Sequence, residues 1–454
     1  MIDAFIPKMV SIRRMLVTLL LTAVIVTSGI TSPLAHAQTV VATVPVGRSG
    51  NSTAALNELA YDSGKGEVFV LNNDDDTVSV ISDETNTLVA TVTLGPPISQ
   101  STAASIAYDP AMGVVFAAIN GNGNNNPTIS VISDANNTVV GVLPLGANSL
   151  AYDSGKGELF VAFTGTEDVQ DVVYVISATT YKLAATLNLR SQPEDLVYDP
   201  GRGEVFVFSS TCQNCNTPVE NVSVISDITN TVVANVTVGG PYNAFAYDPG
   251  RGEVFVDGAN NTISIISDAT NTVVTRIQPQ IFSGGTVGGP HGPGAPLTGS
   301  MAFDSAQNEL WVSASTGSQV GRLGIAGAIS DTNDTLVGQV AVGHYPLSMA
   351  YDSGKDEVFV YNQLDETVSV IAAAPNVGTS TTTTSLFSTT APSTTSTASQ
   401  STPPVKTINV EGLPSFHGPE SLTTYLAPYL VAAAAVVVVA GLAGFLLHRR
   451  RKSR

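Results

Sequence analysis

Cysteine is almost missing: Cys212 and Cys215 are the only two among 454 residues. That excludes a scaffold built on many disulfides and a four-cysteine zinc site. Tryptophan occurs once, as Trp311, and histidine five times. Basic side chains are scarce too, with 19 Lys and Arg against 37 Asp and Glu. Eight of the 19 sit at the two ends, and residues 15–448 hold 11 basic against 36 acidic, a formal charge of −25. Such a surface repels phosphate, excludes nucleic acid as a partner, and attracts cations or basic partners. No G-x-S-x-G elbow, H-E-x-x-H, P-loop or C-x-x-C-H occurs, so the common hydrolase, zinc-protease, nucleotide and haem chemistries have no basis here. What is abundant is Val, Thr, Ser, Asn and Gly, a composition suited to strands and tight turns.

Both ends have the pattern of targeting segments. Lys8, Arg13 and Arg14 precede the apolar run Met15 to Val26, and Ala35-His36-Ala37 follows, so 1–37 is expected to be a cleaved signal peptide with the mature chain starting at Gln38. An uncleaved N-terminal anchor is the alternative. Tyr429 to Leu447 is uncharged over 19 residues and Arg449, Arg450, Arg451, Lys452 and Arg454 follow. Residues 425–448 are therefore expected to form one transmembrane helix, with 449–454 a basic cytoplasmic tail and the body outside the cell membrane. A processed sorting tail with Gly418-Pro419-Glu420 as its motif is the alternative. Between Thr379 and Thr402, 18 of 24 residues are Ser or Thr. Residues 376–424 read as a disordered, possible O-glycan-bearing stalk. Some thirty extended residues at about 3.1 Å each would hold the body on the order of 90 Å from the bilayer.

The remainder, 38–375, is a sevenfold repeat. A segment like Ala60-Tyr61-Asp62-Ser63-Gly64-Lys65-Gly66-Glu67-Val68-Phe69-Val70 recurs around Tyr108, Tyr152, Tyr198, Tyr247, Phe303 and Tyr351, at spacings of 44 to 56 residues. A second segment of the type T-V-S-V-I-S-D ends at Asp83, Asp134, Asp227, Asp268 and Asp331, with Ala178 in the third repeat. A third resembles Leu88 to Leu94, where Leu88, Ala90, Val92 and Leu94 alternate with Thr91 and Thr93. The period is two, the separators are turn residues, and four strands per repeat give the arithmetic of a propeller blade. The seventh repeat stops after Ile371 and lacks its last strand; Thr39 to Gly47 matches the missing piece. The fold expected is all-β, a seven-bladed propeller whose N-terminal strand closes the last blade and hides an open edge.

Val68-Phe69-Val70-Leu71-Asn72, Val78-Ser79-Val80-Ile81-Ser82-Asp83 and Val89-Ala90-Thr91-Val92-Thr93-Leu94-Gly95 together resemble the YVTN family of β-propeller repeats. The resemblance covers roughly 39 to 375 and implies an extracytoplasmic protein of the bacterial or archaeal surface-layer type. It implies no particular chemistry, because propellers host binding, scaffolding and catalysis alike.

Candidate sites follow from the ring. Residues leading into each innermost strand share one channel mouth with the loops joining strands two and three. Glu58, Glu194 and Asp195 are the acids there, a candidate site for Ca²⁺ or another divalent cation; Asn57, Asn148, Asn243 and His344 are candidates for a ligand rim, beside Ser149, Ser300 and Ser348. Asn72 to Asp76 lacks the Gly and Glu of an EF-hand and reads as a solvated turn. Cys212 and Cys215 are expected to form a local disulfide in the long loop of the fourth blade. The insertion Ser283 to Gly299, with His291, is read as a solvated loop. N-x-S/T sequons at Asn51, Asn136, Asn221, Asn235, Asn260 and Asn333 are glycosylation candidates, marking a surface glycoprotein.

Two functions fit. The first is a cell-surface-anchored, non-catalytic propeller that binds an envelope protein or glycan, as scaffold or adhesion module, with no cofactor. The alternative is an extracytoplasmic metal-dependent hydrolase, lactonase-like, using the channel.

Overall fold

The computed structural model describes residues 38–48, 59–94, 102–120, 127–164, 171–189, 191–210, 220–238, 244–258, 261–279, 281, 297–316, 323–372, 406–408 and 410–411. The signal segment 1–37 and the apolar run 425–448 lie outside them. Among the described residues no helix is long and apolar enough to cross a membrane.

Seven antiparallel sheets form in chain order. Blades one to six each take four consecutive strands, the first running from Leu59–Asp62 to Thr87–Thr93. Blade seven has three consecutive strands, Pro346–Asp352, Glu357–Asn362 and Thr367–Ala372. Its fourth is Thr39–Pro45, antiparallel to Thr367–Ala372 with Thr43 opposite Ser369. First strands pack against first strands around the ring, and that of blade seven packs on that of blade one. The architecture is a closed seven-bladed propeller with strand one innermost.

The core lies between blades. The third residue of each second strand is aromatic: Phe69, Phe116, Phe160, Phe206, Phe255, Trp311 and Phe359, none more than 1 % exposed. Val44 of the N-terminal strand joins Leu59, Val68, Phe359 and Val370 in a cluster bridging blades seven and one. Closure is therefore made of buried apolar surface as well as ladder hydrogen bonds.

Fourth strands depart from simple alternation. Their pairing with strand three shifts register in every blade, between Val80 and Ile81 in blade one and between Val40 and Ala42 in blade seven. The residue skipped is a bulge, and the bulge turns Val41, Val89, Val140, Val233 and Val274 toward solvent. Leu88, expected on the buried face, is exposed for the same reason.

Turn lengths separate the two faces of the ring. Four residues link strands one and two in all seven blades, and four or five link strands three and four. On the opposite face the links between strands two and three range from three residues (259–261) to nine (211–219).

A further strand comes from sequence assigned above to the stalk. Lys406–Thr407 pairs in parallel with Gly141 and Val142 of blade two, and Ile408 N donates to Val142 O at 2.7 Å. Val410 is buried against the blade two and three core, and Leu183 N donates to Glu411 O at 3.1 Å. Reading 376–424 as one continuous stalk missed this. The apolar residues Ile408 and Val410 find an open edge beside a hydrophobic cleft, which outweighs their polar surroundings in sequence.

Candidate functional site

Four of the seven first strands begin at the mouth with a register shift: Pro193/Asp195, Pro346/Ser348, Thr102/Ala104 and Leu297/Met301. A bulge bends the strand where it enters the channel and re-aims the side chain it carries. In blade four the skipped residue is Glu194.

Behind the mouth, first-strand serines of blades two and three stitch neighbouring blades. Leu150 N donates to Ser105 Oγ at 3.0 Å, and Leu196 N donates to Ser149 Oγ at 3.2 Å. Ser149 Oγ in turn donates to Asp195 Oδ1 at 2.6 Å, with both side chains buried. Asp195 thus holds blade three to blade four and also accepts from its following amide, Leu196 N, at 2.8 Å. Its role as drawn in the structure is interblade bonding.

Glu194 has another neighbour. Glu220 opens the third strand of blade four, where it sits opposite Ser210, which is itself opposite Gln192. Its carboxyl is buried and, among the described residues, Oε2 has no hydrogen-bond partner. Burial first, then the Glu194 charge, pushes the Glu220 carboxyl up to about 7. Glu194 is raised as well, by burial and then by Asp195. A buried carboxyl whose ionisation a neighbouring acid discourages takes up a proton or a cation. Glu220 escaped sequence reading because only residues preceding strand one were weighed; the long loop ending at Glu220 was the available signal.

The remaining candidates are placed as follows. Asn148 is occupied locally: its Nδ2 donates to Thr164 Oγ1 at 2.7 Å, and Thr164 N donates back to Oδ1 at 3.5 Å. His344 N donates to Asp365 Oδ2 at 2.7 Å and its Nδ1 lies 2.9 Å from Asp365 Oδ1, tying the start of blade seven to its own strand two to three turn. Glu58, Asn57, Asn243, Cys212, Cys215, Asn51 and Asn260 lie outside the described residues, as does His291. Asn136, Asn235 and Asn333 are exposed and Asn221 is half-buried.

The reading of Asn72 to Asp76 as a solvated turn needs correction. Asn72, Asn73 and Asp76 are buried, leaving only Asp74 and Asp75 exposed. Asn72 Nδ2 donates to Thr77 Oγ1 at 3.0 Å and Ser79 Oγ at 2.9 Å, Asp74 N to Arg48 O, and Arg48 N to Asp75 Oδ2. The turn holds the segment just after the closing strand, and Asn362 repeats the same bonds to Thr367 and Ser369 in blade seven.

The class these features define is a closed seven-bladed β-propeller with an acidic pair at one mouth. No protein-family model matches the chain, and no curated protein matches it. Among solved structures, hydrazine synthase from Kuenenia stuttgartiensis is similar, with a TM-score of 0.55 and 14 % identity over 72 % of this chain and 98 % of that one. At that identity the likeness shows the fold alone. Since 1562 solved chains match, the fold does not select a function.

Proposed function

We propose that this protein is an exported, membrane-held display propeller of the YVTN repeat type, which binds an envelope protein or glycan through its variable face without catalysing a reaction. The observation that supports this best is the division of labour between the faces: uniform four- and five-residue turns on one, links of three to nine residues on the other. Unequal loops on an equal frame make an asymmetric surface, which recognition needs and a purely structural ring does not. The leader 1–37, the anchor 425–448 and the tail 449–454 supply export and retention in this reading.

The tether is shorter than the length of the polar sequence suggests. Ala372 and Lys406 both sit on the propeller, so the Ser/Thr-rich segment runs between two points of the body. Only 412–424 then remains before the apolar run, about 40 Å if fully extended. The propeller would be held close to the bilayer, at its blade two to three rim.

Replacing 211–219 by the four-residue turn Asn73 to Asp76 tests the reading. The purified variant is expected to melt as the parent does, yet to lose partners recovered from envelope extracts or on a glycan array. Hydrolytic turnover abolished by Glu194→Gln or Glu220→Gln would favour an enzyme instead and sink the proposal.

A further inference from the structure

The uniform face carries a ring of repeated polar junctions. At each of six, the Asp ending strand one of one blade faces the first-strand tyrosine of the next, as Asp199 accepts from Tyr247 Oη at 2.6 Å. Of the six Glu residues that follow the turn, five are served by an amide. Asn137 Nδ2 donates to Glu67, Asn86 Nδ2 to Glu357, and Asn230 and Asn271 bond Glu158 and Glu204. At the closure, where blade seven has no strand three to four turn, Gln38 Nε2 replaces the Asn and donates to Glu309 at 3.0 Å.

The junction between blades five and six breaks both rules at once. Phe303 stands where the phenol belongs, and Asp334 stands where the Asn belongs. Yet every acid is retained. One oxygen each from Asp248, Glu253 and Asp331 lies within 4.8 Å of the others. Asp248 is fully buried; Oδ1 accepts from Gly250 N at 2.6 Å, while among the described residues Oδ2 has no hydrogen-bond partner, nor has Glu253 Oε2. Arg251 is the cation at hand, bonding Asp331 Oδ1 at 3.0 Å and Glu253 Oε1 at 3.3 Å. It offsets one charge of the four that Asp248, Glu253, Asp331 and Asp334 bring. Two neutral donors have been exchanged for an apolar ring and another negative charge, so this junction has fewer donors and more negative charge than its siblings, whose first-strand Asp Oδ2 atoms likewise have no partner among the described residues.

We propose that Asp248, Glu253 and Asp331 bind one hard divalent cation of the calcium class at the blade five to six junction, remote from the channel mouth. Oxygen-only ligands and a surplus of negative charge suit such an ion, with water completing the shell. The ion takes the place of the phenol and amide used at the sibling junctions and locks blade five to blade six.

Equilibrium dialysis of the full purified chain against calcium alone tests this, with Phe303→Tyr/Asp334→Asn as the decisive variant. That pair restores the residues that other junctions of the same ring already use, so folding is expected to survive. Asp334→Asn alone, at an exposed position, is the second variant. The parent should bind one calcium per chain. The double variant should bind about tenfold more weakly or less, and Glu194→Gln/Glu220→Gln should leave that site intact. A parent that retains no calcium, a double variant with undiminished affinity, or calcium lost on changing the mouth pair would each overturn the proposal.

Discussion

Removing residues 38–47 is expected to abolish cooperative folding of the whole ring. Those residues supply the fourth strand of blade seven, buried Val44, and the Gln38 amide that serves Glu309. Burial of Val44 contributes about 1.5–3 kcal/mol, and each of the lost ladder bonds about 1 kcal/mol. The sum reaches the scale of a whole domain's stability, about 5–15 kcal/mol. Removal also bares the Thr367–Ala372 edge, a template for pairing with other chains. Trp311, single and fully buried, reports the outcome by its fluorescence. The truncated chain should show exposed Trp311 and self-association, and a synthetic peptide of residues 38–48 should rescue it. A truncated chain that stays monomeric with an unchanged melting midpoint would refute ring closure by this strand.

Stability should fall as pH rises from about 4.5 to about 7, opposite to the behaviour of proteins held by ion-paired carboxylates. Burial, and secondarily Asp304 and Asp356, pushes the Glu309 carboxyl up to about 7, and Glu220 reaches about 7 at the mouth. Asp83, Asp134, Asp227 and Asp268 are also raised, by burial and then by the Asp facing each across its junction. A carboxyl raised in the folded state binds its proton more tightly there than in the unfolded chain. Its favourable contribution is present at low pH and lost as pH climbs from the unfolded value to the folded one. For Glu220 and Glu309 that window runs from about 4.5 to about 7, and each contributes about 1–2 kcal/mol across it after solvent screening. Melting midpoints in a calcium-free pH series check this. Glu309→Gln should flatten the slope; a midpoint that rises with pH would contradict it.

Much of this was legible in sequence because a repeat averages out local ambiguity. Seven variants of the segment seen at Ala60 to Val70 indicated blade number and strand order, and the truncated seventh repeat pointed to Thr39 to Gly47 as its completion. Departures from the repeat were harder to interpret. Phe303 and Asp334 are visible as substitutions in the sequence, but their meaning depends on which residues face one another across blades, and that pairing is a tertiary fact. Glu220 follows the same logic, since its neighbour Glu194 lies 26 residues away. Exposure of Leu88 and Val89 came from a bulge that no period-two reading contains. The docking of Lys406 to Glu411 was masked by a low-complexity segment, whose composition coloured the residues beyond it.

Native-state hydrogen exchange at Val40 to Val44, compared with Val368 to Ile371, tests ring closure most directly. The account predicts that both groups of amides exchange only through global unfolding, with the same free energy and the same denaturant dependence. Fast, denaturant-independent exchange at Val40 to Val44 beside slow exchange at Val368 to Ile371 would show an unzipped strand and an open ring.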